Sequence, residues 1–248
     1  MADLTGRRVL VTGGSRGIGA AIVCHLAAAG AAVAFTYRRA AAAATAMGER
    51  TGAAAIGLDL ADPAAAPGAV EAAADRLGGL DAVVSNAGVA SSGRSVADTP
   101  LDELARVLAV HAVGPHQLCR AALPHLRAAG RGDVVFVSSV VTSAPVAGGG
   151  PYVMAKAAAE GLAACLAREE RRHGIRVNVV APGLVDTEMG RRLVRATRDV
   201  HDIRELDADS PNGRVCAPED VAAVVGFLLG PGAGYVNDQR ITVDRGTF

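Results

Sequence analysis

Short, nearly continuous apolar runs alternate along the chain with longer alanine-rich segments. The apolar runs are rich in β-branched residues, so we predict strands at 7–12, 31–37, 54–59, 81–86, 133–138, 175–180 and 240–244. The longer segments consist of good helix formers and predict helices near 17–29, 40–50, 63–77, 101–129, 151–173 and 218–229. Apolar strands that alternate with helices are typical of a parallel sheet covered on both faces. The pattern therefore predicts an α/β fold with a doubly wound parallel sheet of about seven strands.

The alternation continues through the chain without an internal repeat or a linker. We therefore expect one domain that spans residues 1–248. Residues 184–214 interrupt the alternation of strands and helices. They form a long charged segment between the sixth strand and the last helix, which we call the excursion. Excursions of this length are typical of lids and binding loops, and we expect a lid on the substrate side.

Composition argues against several kinds of partner and site. The 25 basic and 25 acidic residues cancel, so the net charge gives no argument for a nucleic acid or a membrane surface as partner. The N-terminus enters a strand without a signal sequence, and no apolar run approaches a membrane span, so we expect a soluble cytoplasmic protein. The cysteines are dispersed and have no histidine at ligand spacing, which predicts neither a disulfide framework nor a metal site; they are Cys24, Cys119, Cys165 and Cys216.

A glycine-rich turn follows the first strand, in VTGGSRGIGA at residues 11–20. Gly13, Gly17 and Gly19 are spaced G-x-x-x-G-x-G and lead into an apolar helix. Glycines let the backbone approach a pyrophosphate closely, and the start of a helix offers it unpaired N–H groups. The turn therefore favours a dinucleotide site, although a tight strand-to-helix turn without a ligand would have the same glycines. It lacks the Lys-Ser/Thr that ends a triphosphate-binding P-loop.

The residues after the second strand indicate the type of dinucleotide. NAD-binding proteins carry an Asp or Glu there, which binds the free 2′-hydroxyl of the adenosine ribose. This chain has Arg38 and Arg39 instead, and Arg16 stands inside the glycine-rich turn. Guanidinium groups bind a phosphate with planar, multidentate hydrogen bonds, so NADP(H) is favoured over NAD(H). The alternative is that Arg38 and Arg39 only solvate a surface turn.

Polar residues also end the third and fourth strands, at the edge where open α/β sheets bind their ligands. Asp59 is a candidate acceptor for the adenine amino group, and Asn86, Ala87 and Gly88 are candidates to support the cofactor ribose. Both sites have structural alternatives. Asp59 would also serve as a helix cap, although Asp62 is better placed for that role, and Asn-Ala-Gly would also form a plain turn.

Lys156 is the only lysine of the chain, and it follows Tyr152 by four residues. Pro151 marks a helix start, so the two side chains lie on one helical face. A phenol with a pKa of about 10 exchanges protons poorly near pH 7 unless a nearby cation stabilises the phenolate. A compact ammonium does this while it also donates to ribose hydroxyls, and arginine cannot combine the two tasks. Ser139 ends the fifth strand, 13 residues before Tyr152.

Together these motifs resemble the short-chain dehydrogenase/reductase family. The resemblance spans essentially the whole chain and rests on TGGSRGIG (12–19), NAG (86–88), Ser139, YVMAK (152–156) and PGLVDTEM (182–189). It implies a single Rossmann-like domain. Within that domain Tyr152 would be the general acid or base, Lys156 would lower its pKa and hold the nicotinamide ribose, and Ser139 would hydrogen-bond the substrate oxygen.

The resemblance also implies which residues bind NADP(H). They are Gly13, Ser15, Arg16, Gly17, Ile18, Gly19, Arg38, Asp59, Leu60, Asn86, Ala87, Gly88, Tyr152, Lys156, Pro182, Gly183, Val185 and Thr187. In the family, the last four of these positions dock the nicotinamide carboxamide.

The chain departs from the family pattern at His111, in VHAVG. The family has an Asn at this place, which anchors a water that leads to the active lysine. Histidine can hold a water through a ring nitrogen or its carbonyl, so we expect a modified relay with His111 as a further catalytic residue. The alternative is a histidine that only packs.

A second departure lies near the C-terminus, where Asp238 and Arg245 stand at positions that are normally glycine. Members of the family often build a tetramer interface in this region. The resemblance therefore implies a homotetramer whose interface differs in detail.

The overall similarity is greatest to 3-oxoacyl-(acyl-carrier-protein) reductases and stand-alone polyketide ketoreductases, through RRHGIRVNVVAPGLVDTEM and TGGSRGIGAAI. It implies NADPH-dependent reduction of a β-ketoacyl thioester, free or tethered to a carrier protein. One alternative is a dehydrogenase or reductase of a free alcohol, sugar or ketone. Another is a non-catalytic dinucleotide-binding sensor.

Arginines near the expected mouth of the site are candidates to contact an acidic acyl carrier protein. They are Arg127, Arg131, Arg171, Arg172, Arg191, Arg192, Arg195 and Arg198. Acidic residues are interleaved with the last of them, which equally favours a solvated helical lid; these are Asp199, Asp202, Glu205, Asp207 and Asp209.

Overall fold

The computed structural model describes residues 2–197, 200–210 and 213–247. Within these residues, seven strands form one sheet; they are Arg8–Val11 (β1), Ala32–Tyr37 (β2), Ala54–Gly57 (β3), Ala82–Ser85 (β4), Gly132–Val137 (β5), Ile175–Pro182 (β6) and Arg240–Val243 (β7). The sheet order is β3-β2-β1-β4-β5-β6-β7, and every neighbouring pair is parallel. The order reverses between β1 and β4, and such a switch point opens a crevice at the carboxyl ends of the strands. The predicted doubly wound α/β fold is confirmed.

The same residues contain eight α-helices. They are Gly17–Ala28 (α1), Ala41–Thr51 (α2), Ala66–Leu77 (α3), Leu101–Leu108 (α4), Gly114–Ala128 (α5), Gly150–Glu170 (α6), Glu188–Thr197 (α7) and Pro218–Leu229 (α8). Helices α3, α5 and α6 contribute to the apolar core on one face of the sheet, and α1, α2 and α8 to the core on the other.

Both faces of the central strands are buried. Leu10 and Val83 belong to the core on one face, whereas their neighbours Val9 and Val84 belong to the core on the other face. All four side chains are fully buried, because successive residues of a strand point to opposite sides and each side carries helices. This two-sided burial explains why the strands have continuous apolar sequences rather than alternating ones.

One predicted helix, near 101–129, is divided in the structure. Helices α4 and α5 are separated by a π-helical turn over Ala109–Val113. The N–H of Gly114 bonds five residues back, to the start of this turn, and Pro115 has no N–H with which to continue the ordinary ladder. The turn carries His111, and π-helical turns occur frequently at functional sites.

Charged side chains tie the amino ends of the central strands together. Arg7 pairs with both Asp81 and Asp133, and Arg176 lies 2.7 Å from Asp133. Arg8 lies 3.0 Å from Asp81. Both aspartates are almost fully buried, and each has two guanidinium partners, so the opposite charges of the cluster compensate one another away from water. The cluster therefore fixes the sheet at the edge opposite the crevice.

In the described ranges, no helix has both the length and the apolar character needed to cross a membrane. The same part of the chain contains no group of three or more His, Cys, Asp or Glu residues arranged to hold a metal ion.

Candidate active site

Tyr152 and Lys156 lie in the first two turns of α6, at the carboxyl edge of the sheet. Pro151 stands at the start of this helix, where its missing N–H removes no helical hydrogen bond. The Nζ atom of Lys156 lies 5.7 Å from the centre of the Tyr152 ring. Nζ also donates a hydrogen bond of 2.7 Å to the carbonyl of Val137, the last residue of β5. The only lysine of the chain is thus anchored at the end of a central strand.

Ser139 lies two residues beyond Val137, at the start of a 3₁₀ turn over Val140–Thr142. Its backbone is extended, with φ −164° and ψ 154°, and its Oγ accepts a hydrogen bond of 3.4 Å from a main-chain N–H of this turn. The bond uses a lone pair of the hydroxyl and leaves its proton for another acceptor. The structure therefore brings Ser139 to the same edge of the sheet as Tyr152 and Lys156.

Burial changes the acid–base properties of the tyrosine and the lysine. It raises the pKa of Tyr152 to about 12. It lowers the pKa of Lys156 to about 8, against an opposing contribution from the Glu160 carboxylate. The sequence predicts that Lys156 lowers the pKa of Tyr152, whereas burial raises it in the structure. Tyr152 is therefore a protonated acid near neutral pH.

His111 packs edge-on against Tyr152, with ring centres 5.2 Å apart and ring planes at 83°. Its Nε2 atom lies 3.0 Å from the main-chain nitrogen and 2.8 Å from the carbonyl oxygen of Val89. The ring also fills the space beside Gly88, where a Cβ atom would lie 2.5 Å from the imidazole. Burial, followed by the charge of Lys156, lowers the pKa of His111 to about 3. The imidazole is therefore neutral at physiological pH, and its Nε2 is engaged by the backbone.

The glycine-rich turn has the tight backbone that its sequence predicts. Gly13 has a φ of +70°, and a Cβ atom there would lie 2.9 Å from the Cα of Ala87. A Cβ atom on Gly19 would lie only 2.1 Å from the carbonyl oxygen of Gly13. Helix α1 begins at Gly17 with no capping side chain and no acidic residue in its first turn. The turn thus offers backbone N–H groups and the positive end of a helix dipole, features that fit a pyrophosphate.

Thr12, which is not among the predicted site residues, joins the glycine-rich turn to the end of β4. Its Oγ1 accepts hydrogen bonds from the N–H groups of Asn86 and Ala87, at 2.9 and 3.0 Å. The Asn86 side chain donates a bond of 2.9 Å to the carbonyl of Thr12. Thr12 therefore locks the Asn-Ala-Gly segment to the turn. Its signal in the sequence is a hydroxyl residue between an apolar strand and a glycine.

Two predicted adenosine-binding residues lie together beyond β2 and β3. Arg38 and Asp59 are 3.9 Å apart, and their side chains are 37% and 46% exposed. Asp59 also accepts a hydrogen bond of 3.0 Å from the N–H of Ala61, whereas Asp62 caps the 3₁₀ turn that follows. Arg39 is exposed. The polar atoms of Arg38 and Asp59 are thus accessible at the predicted edge.

The segment after β6 closes over the glycine-rich turn. The guanidinium of Arg16 pairs with Glu188, the first residue of α7, at 2.9 Å. The methyl group of Thr187 lies 3.4 Å from the position of a Cβ atom on Gly17. Val185, which belongs to the same segment, is buried. The two parts of the predicted cofactor site are therefore in contact.

The remaining predicted cofactor residues hold the backbone around this crevice. Pro182 is the last residue of β6, and the N–H of Gly183 donates a hydrogen bond of 3.1 Å to the end of β7. Ile18 packs against the apolar core beneath the turn, Leu60 is buried and Ser15 is half-buried.

Four of the arginines predicted near the mouth lie elsewhere. Arg171 and Arg172 follow α6, whose 21 residues carry them about 30 Å from its first turn. Arg127 pairs with Glu170 at the end of α6, and Arg131 directly precedes β5. All four lie toward the amino edge, because a helix after a strand returns the chain to the edge where the next parallel strand starts. The prediction that they flank this chain's own site is wrong.

The arginines of α7 lie on the carboxyl side of the sheet, but each is engaged within the excursion. Arg191 pairs with Asp186 at 2.7 Å, and Arg192 pairs with Glu188. Arg195 donates a hydrogen bond of 3.1 Å to a main-chain carbonyl. These contacts agree with the helical lid that the sequence offered as an alternative.

The acidic residues of the excursion stabilise its own fold. Asp202 and Glu205 form a capping box on a 3₁₀ turn, in which each side chain accepts a main-chain hydrogen bond. Asp207 accepts a hydrogen bond of 2.7 Å from a main-chain N–H eight residues later. Arg198 and Asp199, also named from the sequence, lie outside the described residues.

Known proteins share both the sequence and the fold of this chain. Residues 13–247 match a family model described as Enoyl-(Acyl carrier protein) reductase. The chain is 36% identical to the L-fucose dehydrogenase of Mus musculus, over 90% of this chain and 82% of that protein. It is 35% identical to the 3-oxoacyl-(acyl-carrier-protein) reductase of Pseudomonas aeruginosa, over 99% of each.

A solved relative extends the match to three dimensions. The crystal structure of a short chain dehydrogenase from Burkholderia cenocepacia, in complex with NADP, has a TM-score of 0.88 to this chain. The two are 39% identical over 98% of each chain. Since sequence and fold agree over nearly the full length, the chain is an oxidoreductase of the short-chain dehydrogenase/reductase family.

Proposed function

We propose that this protein reduces the ketone of a β-ketoacyl thioester with NADPH, as 3-oxoacyl-(acyl-carrier-protein) reductases do. The observation that carries the proposal is the convergence of Tyr152, Lys156 and Ser139 at the carboxyl edge of the sheet. The glycine-rich turn opens onto the same edge, at the end of β1. In this proposal Tyr152 is the proton donor and Ser139 a hydrogen-bond donor, both beside the dinucleotide site.

The residues of the chain fit NADP(H). The glycines and the uncapped start of α1 suit a pyrophosphate, and the accessible guanidinium of Arg38 suits a 2′-phosphate. Arg16 is paired with Glu188, so Arg38 is the principal candidate to bind the 2′-phosphate and to select NADP(H) over NAD(H). The relative from Burkholderia cenocepacia supports this assignment because its structure is a complex with NADP. When bound, the reduced cofactor supplies the hydride that the carbonyl carbon receives.

The catalytic side chains act on the oxygen of the ketone. Ser139 retains its hydroxyl proton and donates a hydrogen bond to this oxygen, which stabilises the negative charge that develops there. Tyr152 donates the proton that the oxygen finally takes up. Because burial raises its pKa to about 12, Tyr152 carries this proton throughout the physiological range. Lys156 places a positive charge beside the phenolate that remains.

His111 acts in this scheme by orientation rather than by proton exchange. Its pKa of about 3 keeps the ring neutral, and Nε2 is held by Val89. Nδ1 then remains to bind a water, which would connect Lys156 to solvent as the Asn of the family does. This is the modified relay that the sequence predicts.

Exposed apolar side chains at the carboxyl edge support an acyl substrate. They lie in the segments that follow β4, β5 and β6, and they are Val96, Val146, Met189 and Leu193. Val96 and Val146 lie beside Gly150 and Gly149, at the start of α6. Met189 and Leu193 are one helical turn apart on α7. An acyl chain matches such surfaces, whereas a sugar requires several polar partners.

A free alcohol, sugar or ketone is the second candidate substrate. It is favoured by the relative from Mus musculus, an L-fucose dehydrogenase that matches this chain at an identity similar to that of the ketoacyl reductase. A non-catalytic dinucleotide-binding sensor is favoured only by the replacement of the family Asn with His111. The intact Ser139, Tyr152 and Lys156 argue against a sensor, and turnover of any ketone would exclude it.

We further propose that residues 1–248 act as one domain in a cytoplasmic homotetramer. Exposed apolar residues in two regions support the assembly: Tyr235 and Phe227 near the edge strand β7, and Leu101 and Met154 on α4 and α6. An acidic acyl carrier protein would approach the lid, where the charged side chains of α7 are exposed. Light scattering of the purified protein measures the assembly directly.

The substrate proposal is tested by comparing matched ketones. NADPH oxidation with the acetoacetyl thioester of N-acetylcysteamine should be faster than with ethyl acetoacetate, by roughly tenfold in kcat/KM. Equal values would favour a reductase of free ketones. Turnover of L-fucose with NADP⁺, without activity on either ketone, would replace the proposal with a sugar dehydrogenase.

A further inference from the structure

Glu160 and Arg240 hold the residues that end β5. The Ser138 hydroxyl donates a hydrogen bond of 2.5 Å to the Glu160 carboxylate. The Arg240 guanidinium, which comes from β7, donates one of 3.2 Å to the carbonyl of Ser139. Glu160 lies one turn beyond Lys156 on α6, and that lysine bonds to the preceding residue of the same strand. Consecutive residues up to the proposed catalytic serine are thus fixed by charged side chains.

The Glu160 carboxylate is the centre of this cluster. Its Oε1 accepts from the Ser138 hydroxyl and, at 2.9 Å, from the Thr142 hydroxyl. The Nε of Arg240 lies 3.3 Å from the same oxygen, and another nitrogen of the guanidinium donates to Thr142 at 2.9 Å. The Glu160 and Arg240 side chains are only 21% and 28% exposed. Partial burial strengthens such charge-assisted bonds relative to those on an open surface.

We propose that Glu160 and Arg240 are positioning residues that fix the Ser139 hydroxyl, and that the Glu160 carboxylate also keeps Lys156 in its charged form. The inference rests on the function proposed above for Ser139 and Lys156. Neither Glu160 nor Arg240 touches the reacting atoms, and both act through the residues that do. The sequence signal for Glu160 is its place four residues after the only lysine, whereas its pairing with Arg240 spans 80 residues of chain.

The charges around Lys156 make this role measurable. Tyr152 and Glu160 face it from its own helix, His111 faces it from the π-helical turn, and Arg240 reaches Glu160 from β7. His111 is neutral, so Glu160 is the acidic group that opposes the effect of burial on the lysine. Loss of the Glu160 charge should therefore lower the pKa of Lys156 further.

Because Lys156 is the only lysine, nitrogen-15 labelling of lysine gives a single side-chain signal whose pH titration reports this group alone. We expect Glu160→Gln to lower the titration midpoint by roughly 0.5–1 pH unit, since the amide keeps an acceptor for Ser138 but not the charge. The exposed Glu169→Gln on the same helix is the matched control and should leave the midpoint unchanged. Equal midpoints in wild type and Glu160→Gln would overturn the inference.

Arg240→Met should shift the Lys156 titration midpoint in the direction opposite to Glu160→Gln. This substitution removes the positive charge that offsets Glu160. The negative charge of Glu160 then acts more strongly on Lys156, so the midpoint of the Lys156 titration should rise. General damage to the fold would not move the two variants in opposite directions. Shifts of the same sign would therefore contradict the inference.

The effect on turnover is measured separately. We expect both variants to lower kcat at neutral pH by roughly fivefold or more, with KM for NADPH within about twofold, and Arg240→Lys to restore part of the loss. If the wild-type protein turns over no ketone, the proposed function fails while the titration still tests the electrostatic part of the inference. If the wild type is active and both variants match it, the positioning role is wrong and the proposed function stands.

Discussion

Lys156 donates its 2.7 Å hydrogen bond to the carbonyl of Val137 from a position that is only 5% exposed. A buried ammonium with one main-chain acceptor has lost most of its hydration, and its lowered pKa of about 8 reflects this loss. The chain therefore keeps a destabilising charge at the proposed catalytic site. Active sites often contain such groups because chemistry requires them where the fold alone would not place them.

Lys156→Met should be inactive but more stable than wild type by about 2 kcal/mol at pH 7. The folded-state pKa of Lys156 lies below its ordinary value of 10.5, so the penalty is fully present below pH 8 and fades as the pH rises toward 10.5. The advantage of Lys156→Met should therefore shrink between pH 7 and pH 10. Urea denaturation at the two pH values measures it, and a variant that is less stable at both would show that the ammonium is well accommodated.

His111→Asn should make the protein less sensitive to acid. The folded-state pKa of His111 is about 3, so below pH 6.5 only the unfolded chain takes up this proton, and wild type loses stability as the pH falls. Between pH 7 and pH 5 the free energy of unfolding should therefore fall by about 2 kcal/mol less in the variant than in wild type. Denaturation at both pH values tests this, with the exposed His116→Asn as control.

The same variant addresses the proposed relay. Because Asn is the residue of the family at this position and can also bond to Val89, His111→Asn should retain NADPH-dependent turnover. His111→Phe, which fills the space without a polar atom, should lose most of it. Equal activity of the Asn and Phe variants would show that His111 only packs.

Asp238→Gly should stabilise the protein by up to about 1 kcal/mol. Asp238 has a φ of +59°, and among the described residues only Arg245, at +60°, shares this left-handed backbone without being glycine. These are the two positions at which the sequence departs from the family's glycines. The substitution loses only the exposed contact with Arg168 at 3.3 Å, a type of pair that contributes little.

Thermal denaturation of Asp238→Gly beside Asp238→Ala separates the two effects. Both variants lose the contact with Arg168, but only glycine relieves the backbone, so the alanine variant should melt at a lower temperature than the glycine variant. Identical melting temperatures would show that the backbone at this position carries no strain.

Much of the architecture could be predicted from the sequence because local chemistry determines it. Strands buried on both faces have continuous apolar sequences, and the close approach of Gly13 to Ala87 requires a residue without a side chain. The convergence of Tyr152 and Lys156 follows from one helical turn. These features depend on neighbours in sequence or on the regular order of a parallel sheet.

Other features depend on contacts between distant segments. Arg240 reaches Glu160 only because β7 adds to the sheet beside β6, and a single sequence carries little trace of such pairing. The raised pKa of Tyr152 depends on burial by surrounding elements, which the local motif does not indicate. The misplaced Arg171 and Arg172 had a different cause, since the length of α6 alone places them far from its first turn.

The central claim is that Tyr152 donates the proton in an NADPH-dependent reduction. The most direct test follows NADPH oxidation with the acetoacetyl thioester of N-acetylcysteamine at neutral pH, in wild type and in Tyr152→Phe. The phenylalanine variant keeps the ring against His111 but lacks the hydroxyl, so kcat/KM should fall by at least about 100-fold. Its Kd for NADPH should stay within about threefold of wild type. Similar turnover in the two proteins, or NADPH binding by wild type without turnover of any ketone, would contradict the account.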